Sequence, residues 1–244
     1  MPAQICHILF AEEALRACLP AAAEDIIARH GNLFRFGAQG PDFFYHNQHP
    51  RPTGLKYGAA AHREGYGRLA AHMVRGILRL QARVAQGAFP ADAVEPLKAY
   101  TLGFATHAFL DRRTHPFIEY FSGWGEVYYR AHIFYERILD VLMLRLRRAQ
   151  EVGSFKLLAQ LDCGKRLPYG LVKTLLKSLH AAYPRMRFKS RDRRRIENAY
   201  TDSLFLYTYT DPSQPKYRRI AYERDRDGEN RRRLALFHPA ELPP

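Results

Sequence analysis

The chain has 244 residues, 47% of them apolar and 13% aromatic, which fills one sizeable core and excludes a disordered chain. Its three cysteines, Cys6, Cys18 and Cys163, are scattered and odd in number, which excludes a disulfide framework and fits a reducing compartment. The formal charge of +14 suits an anionic partner, yet much of the excess lies beyond residue 145, where a solvated basic face is the simpler account of any one run.

In chain order, residues 11–30 read as one or two helices broken near Pro20. Residues 31–57 contain G-A-Q-G-P-D-F-F-Y-H-N-Q-H-P-R-P-T-G, and that density of Gly and Pro predicts a long loop. Loops of such length inside a compact domain are usually functional. A long helix is expected over about 58–86, with Tyr66, Leu69, Met73, Ile77 and Leu80 as its apolar stripe and Gly87 and Pro90 as its end. Residues 93–114 form a helix apolar nearly all round, stopped by Pro116. Further helices are expected at about 126–151, 168–182 and 190–208. The only β-like run is Phe205 to Thr210. The fold class is all-α, a multi-helix bundle around a polar interior. One domain is expected over 1–210, followed by a basic, Pro-containing arm over 211–244. The N-terminus carries no secretory signal pattern and no run approaches the ~18–20 apolar residues of a membrane span. The expectation is a soluble, cytoplasmic protein.

The chemistry concentrates in H-A-F-L-D-R-R-T-H, where His107, Asp111 and His115 recur every four residues and share one face of the 93–114 helix and its continuation. An ionised carboxylate and two imidazoles are costly in apolar surroundings unless each has a partner, and one divalent cation can serve all three. A second pair, His132 and Glu136, repeats the i, i+4 spacing in A-H-I-F-Y-E. Upstream, His7, Asp42 and His62 lie in likewise structured contexts. His46 and His49, in a Pro-rich polar loop, are expected to face solvent. His72 is not expected to share a metal with His62, and His30, His180 and His238 are expected on the surface. Phe43, Phe44 and Tyr45 either line a substrate cleft or simply pack. Arg112 and Arg113 are turned away from the His/Asp face and read as solvated.

The pieces C-H-I-L-F, G-A-Q-G-P-D-F-F, K-Y-G-A-A-A-H, H-A-F-L-D-R-R-T-H-P and H-I-F-Y-E, in this order over about residues 1–150, resemble the zinc-dependent phospholipase C family. That family shares an all-α fold with the S1/P1-type nucleases, and the short Asp111 to His115 spacing is similar to that in the amino-terminal domain of glycosylphosphatidylinositol phospholipase D. The resemblance implies two or three zinc ions. It places Asp42, His62, His107 and Asp111 around one, His115, His132 and Glu136 around a second, and His7 with a bridging Asp111 at a third. Such a mixed imidazole and carboxylate set suits catalytic zinc. The implied activity is hydrolysis of a phosphodiester, in a phospholipid or related headgroup ester, by a metal-activated water, with Asp42 as zinc ligand or proton acceptor. The alternatives are a nuclease of the same fold and a catalytically inactive metal-binding module. The basic C-terminal third offers a peripheral membrane or nucleic-acid contact, and no stable protein partner is inferred.

Overall fold

The computed structural model describes residues 4–18, 20–47, 53–123, 129–186, 191–223, 235–240 and 242. Eleven helices follow one another: α1 (Gln4–Cys18), α2 (Ala21–Arg29), α3 (Gly31–Ala38), α4 (Leu55–Arg63), α5 (Tyr66–Ala85), α6 (Glu95–Ser122), α7 (Tyr129–Arg148), α8 (Leu157–Leu161), α9 (Tyr169–Ala182), α10 (Asp192–Thr210) and α11 (Pro215–Glu223). No strand occurs among the described residues, and the β-like run Phe205 to Thr210 is the last part of α10. Its aromatic and β-branched residues favour a pleated surface, but helical packing of Ala199, Tyr200, Ser203 and Tyr207 against the core overrides that preference.

The predicted loop over 31–57 is largely helical: α3 fills Gly31–Ala38, a 3-10 turn fills Asp42–Phe44 and α4 begins at Leu55. Gly37 within it and Gly103 facing it are there for their small size. A Cβ at Gly103 of α6 would lie 1.9 Å from the Phe34 carbonyl oxygen, and one at Gly37 would lie 2.2 Å from that of Tyr100. Backbone therefore meets backbone where α3 crosses α6. The aromatic core closes around this crossing, with Phe36 5.3 Å from Phe43 and 5.2 Å from Tyr200 between ring centres.

The expected helix over 58–86 is two helices, because Gly65 takes a left-handed conformation at φ 72° between α4 and α5. The helix carrying His107 does not stop at Pro116 but runs on to Ser122. Proline removes one donor and crowds the carbonyl four residues earlier. That carbonyl belongs to Arg112, and both residues are exposed, so water can take the missing hydrogen bond.

Two histidines expected at the surface are buried. His238 gives its Nε2–H to Asp140 Oδ2 at 2.8 Å, while Asp140 Oδ1 accepts the Cys6 backbone N–H at 2.7 Å and Arg137 lies buried beside it. Ala235 and Phe237 are buried with His238, and this stretch of the C-terminal segment packs against α7 through His238 and against α10 through Phe237, whose ring lies 5.1 Å from that of Tyr209. Its partner lies 98 residues away, where no local pattern announces it. His46 is buried against Tyr207 and its Nδ1 meets Ser203 Oγ at 2.9 Å. Burial lowers its pKa to about 3. His49 lies outside the described residues.

A depressed histidine pKa leaves stability intact above the unfolded value near 6.5 and erodes it on acidification, because the unfolded chain binds a proton that folded His46 refuses. Between that value and about 3, His46 should cost about 1.4 kcal/mol of stability per pH unit. His46→Gln should flatten the fall of the melting temperature between pH 6.5 and 4.5. An unchanged slope would show that His46 does not titrate in this way.

Candidate metal centre

The close α3–α6 crossing delivers the turn after α3 to the face of α6 that carries His107. Gly40, at φ 55°, has its missing Cβ position 2.3 Å from the His107 ring, so any side chain there would displace the imidazole. His107 in turn gives its Nδ1–H to the Ala38 carbonyl at 3.2 Å, and His62 gives its own to the Gly58 carbonyl at 2.8 Å. Each of these bonds fixes a ring and turns its Nε2 inward.

All eight residues singled out from the sequence converge. His7 comes from α1, Asp42 from the turn after α3, His62 from α4, His107, Asp111 and His115 from α6, and His132 and Glu136 from α7. Three groups have ligand atoms within 4.8 Å of one another: His7, Asp42 and His107; His62, His107 and Asp111; and His115, His132 and Glu136. Asp111 joins them. Its Oδ2 is 3.0 Å from His107 Nε2, and its Oδ1 is 3.2 Å from His7 Nε2 and 3.9 Å from His115 Nε2. Asp42 Oδ1 is 2.8 Å from His62 Nε2, and Glu136 Oε1 is 3.0 Å from His132 Nε2 and 3.8 Å from His115 Nε2.

These contacts are what a cation would bring about. His107 Nε2 and His115 Nε2 are buried without a hydrogen-bond partner, as is Asp42 Oδ2. A ring whose Nδ1–H is already given to a carbonyl turns a lone pair toward a carboxylate oxygen, which is repulsive unless a positive charge stands between them. Burial favours the neutral carboxyl in both acids, but His107 and His62 outweigh it at Asp42, and His107 and His7 outweigh it at Asp111. Both are held below the usual carboxylate range. Burial likewise disfavours a charged His7 and His62, and their acidic partners, Asp111 and Asp42, reverse this and raise both. Five imidazoles and three carboxylates, with no thiolate, make a donor set suited to zinc.

The centre opens through a pocket of about 500 Å³ whose walls include His62, Tyr66, His107, Asp111 and His115. Tyr66 reads in the sequence as one of an apolar stripe, but it stacks on Phe104 at 4.5 Å and lies over His107 at 5.9 Å, forming one wall. Its place follows from the turn at Gly65, which the continuous helix expected there conceals. Arg112 is exposed, as expected, and also borders the pocket with Pro116 and Glu119. Phe43 and Phe44 pack in the core, whereas the Tyr45 ring lies 5.1 Å from that of His62. His72 sits on α5, apart from the convergence.

No curated protein and no solved structure matches the chain. Residues 6–190, which contain all eight converging side chains, match the family described as zinc dependent phospholipase C. The protein belongs to the zinc-dependent phospholipase C family, and membership supports a zinc-dependent, phospholipase C-like hydrolase activity.

Proposed function

We propose that the protein is a zinc-dependent phosphodiesterase that cleaves a phospholipid or related headgroup ester with water as nucleophile. The observation that carries the proposal is the convergence of inward imidazole nitrogens on ionised Asp42 and Asp111, alongside a pocket open to solvent. The proposed ligands are His7, Asp42, His62, His107, Asp111, His115, His132 and Glu136, with Asp111 as the bridge between ions. Bound zinc supplies an acidified water and positive charge at the phosphate. The protein's own contribution is positional. His107 and His62 are held by the Ala38 and Gly58 carbonyls, and Tyr66 walls one side. Asp42 Oδ2, buried without a hydrogen-bond partner, is the proposed acceptor of a proton from the attacking water.

A nuclease reading draws support from a separate cleft of about 690 Å³ lined by Lys165, Arg166, Arg191, Arg193 and Arg194, a surface that would attract a polyanion. The two readings separate in one experiment. Purified protein should hold at least one zinc per chain and hydrolyse bis-p-nitrophenyl phosphate and phosphatidylcholine in a chelator-sensitive way. Chelator-sensitive cleavage of single-stranded DNA without turnover of phosphatidylcholine would replace the lipid reading by the nuclease one. Less than one zinc per chain, or no turnover of any of the three, would sink both and leave a metal-binding module.

A further inference from the structure

We propose that the outer face of α6 beside the pocket is a docking surface for a phospholipid bilayer. The inference rests on the phospholipid reading above and adds how the pocket meets its substrate. A long-chain phospholipid does not leave its bilayer readily, because each methylene drawn into water is unfavourable. The mouth of the pocket must therefore be brought to the lipid surface. No helix among the described residues is long and apolar enough to cross a membrane, so that contact falls to a surface.

One stretch of α6 has the required chemistry. Phe109 is 68% exposed, Phe117 51%, Tyr120 76% and Phe121 50%, and Phe134 on α7 is 41% exposed. Large apolar side chains exposed together, rather than singly, mark interaction surfaces. Three of them are together: Phe117 and Phe121 lie 4.7 Å apart between ring centres and Tyr120 and Phe121 5.1 Å, while Phe121 reaches toward Tyr135 of α7 at 6.2 Å.

The ridge also adjoins the pocket. Arg112 and Pro116 line the mouth, and helical spacing makes Phe109 the neighbour of Arg112 and Tyr120 the neighbour of Pro116. Charge complements the aromatic rings. Arg112 and Arg113 are exposed on the same stretch, at the level where lipid phosphates lie when aromatic side chains enter the interface. Phenylalanine supplies apolar area and Tyr120 adds a polar tip suited to the headgroup layer. The mouth itself is of mixed charge, with Arg63 and Arg112 beside Glu64 and Glu119, so the basic contribution to this face comes from Arg112 and Arg113 next to the aromatic ridge.

The test uses the full chain and the triple variant Phe109→Ser, Phe117→Ser, Tyr120→Ser, none of which lines the pocket. On vesicles of phosphatidylcholine, with and without phosphatidylglycerol, the variant should bind and hydrolyse lipid at least about ten-fold less well than the parent. Turnover of bis-p-nitrophenyl phosphate, zinc content and the melting temperature should stay at parental values. Arg113→Gln should weaken binding only to the vesicles that contain phosphatidylglycerol. Vesicle hydrolysis by the triple variant at the parental rate would overturn the docking surface. So would a parent that turns over dispersed short-chain phosphatidylcholine but ignores vesicles, or a parental dimer that the variant splits with vesicle binding intact. A parent inactive on phosphatidylcholine in every form, yet active on the soluble ester, would instead remove the phospholipid reading itself.

Discussion

Asp111→Asn should strip at least one zinc ion from each chain and lower phosphodiester turnover by about a hundred-fold or more. Asparagine keeps the shape of the side chain but removes its charge, and it offers an N–H donor or a neutral oxygen where Asp111 offers two anionic ones. Those two oxygens stand 3.0 Å from His107 Nε2 and 3.2 Å from His7 Nε2, with His115 Nε2 at 3.9 Å. Asp111 thereby reaches imidazoles of both α1 and α6 at once. Losing a hydrogen-bonding partner of a ligand costs roughly 10 to 100-fold in metal affinity, and losing a shared ligand should exceed that. Metal analysis after gel filtration, with competition against a chelator, gives the occupancy. Parental zinc content in the variant would refute the bridge.

Gly103→Ala should destabilise the fold by about 3 kcal/mol or more, since an added Cβ would meet backbone at a distance no real contact shows. The Phe34 carbonyl cannot swing aside like the end of a long side chain. Instead α3 must move away from α6 as a body, opening the aromatic core around Phe34, Phe36 and Tyr100. The same movement withdraws the Ala38 carbonyl from His107 and the Asp42 turn from the centre, so zinc affinity should fall together with the melting temperature. Gly153→Ala is the matched control, because nothing lies within 4 Å of its added carbon and its effect should stay within about 0.5 kcal/mol. A Gly103→Ala protein as stable as the control would mean that the two helices do not cross this closely.

The parts of the site legible in the sequence are those written within single helices. His107, Asp111 and His115, and again His132 and Glu136, repeat at the spacing that one helix face imposes, so periodicity alone groups them. His7, Asp42 and His62 carry no such local signature, and their grouping with the helical residues rests on the family resemblance. The loop expected over 31–57 shows why local rules mislead here. Gly37 and Gly103 are glycines because another backbone occupies the place of a side chain, Gly40 combines a crowding ring with a left-handed turn, and composition cannot tell these needs apart. Pro116 shows the same limit, since proline ends a helix only where the lost hydrogen bond cannot be replaced. His46 and His238 are settled by Ser203 and Asp140, partners 157 and 98 residues away.

The Asp140 carboxylate has a bearing on the order in which the molecule is made. It accepts a backbone N–H from Cys6, the neighbour of His7, and a ring N–H from His238. A ribosome delivers the Cys6 donor long before the His238 donor. Until then Asp140 and Arg137, both buried in the finished protein, lack the His238 contact that closes their surroundings. The carboxylate beside the helix bearing His7 thus gains one partner early and the other late, and the surroundings of Asp140 close only once His238 has been synthesised.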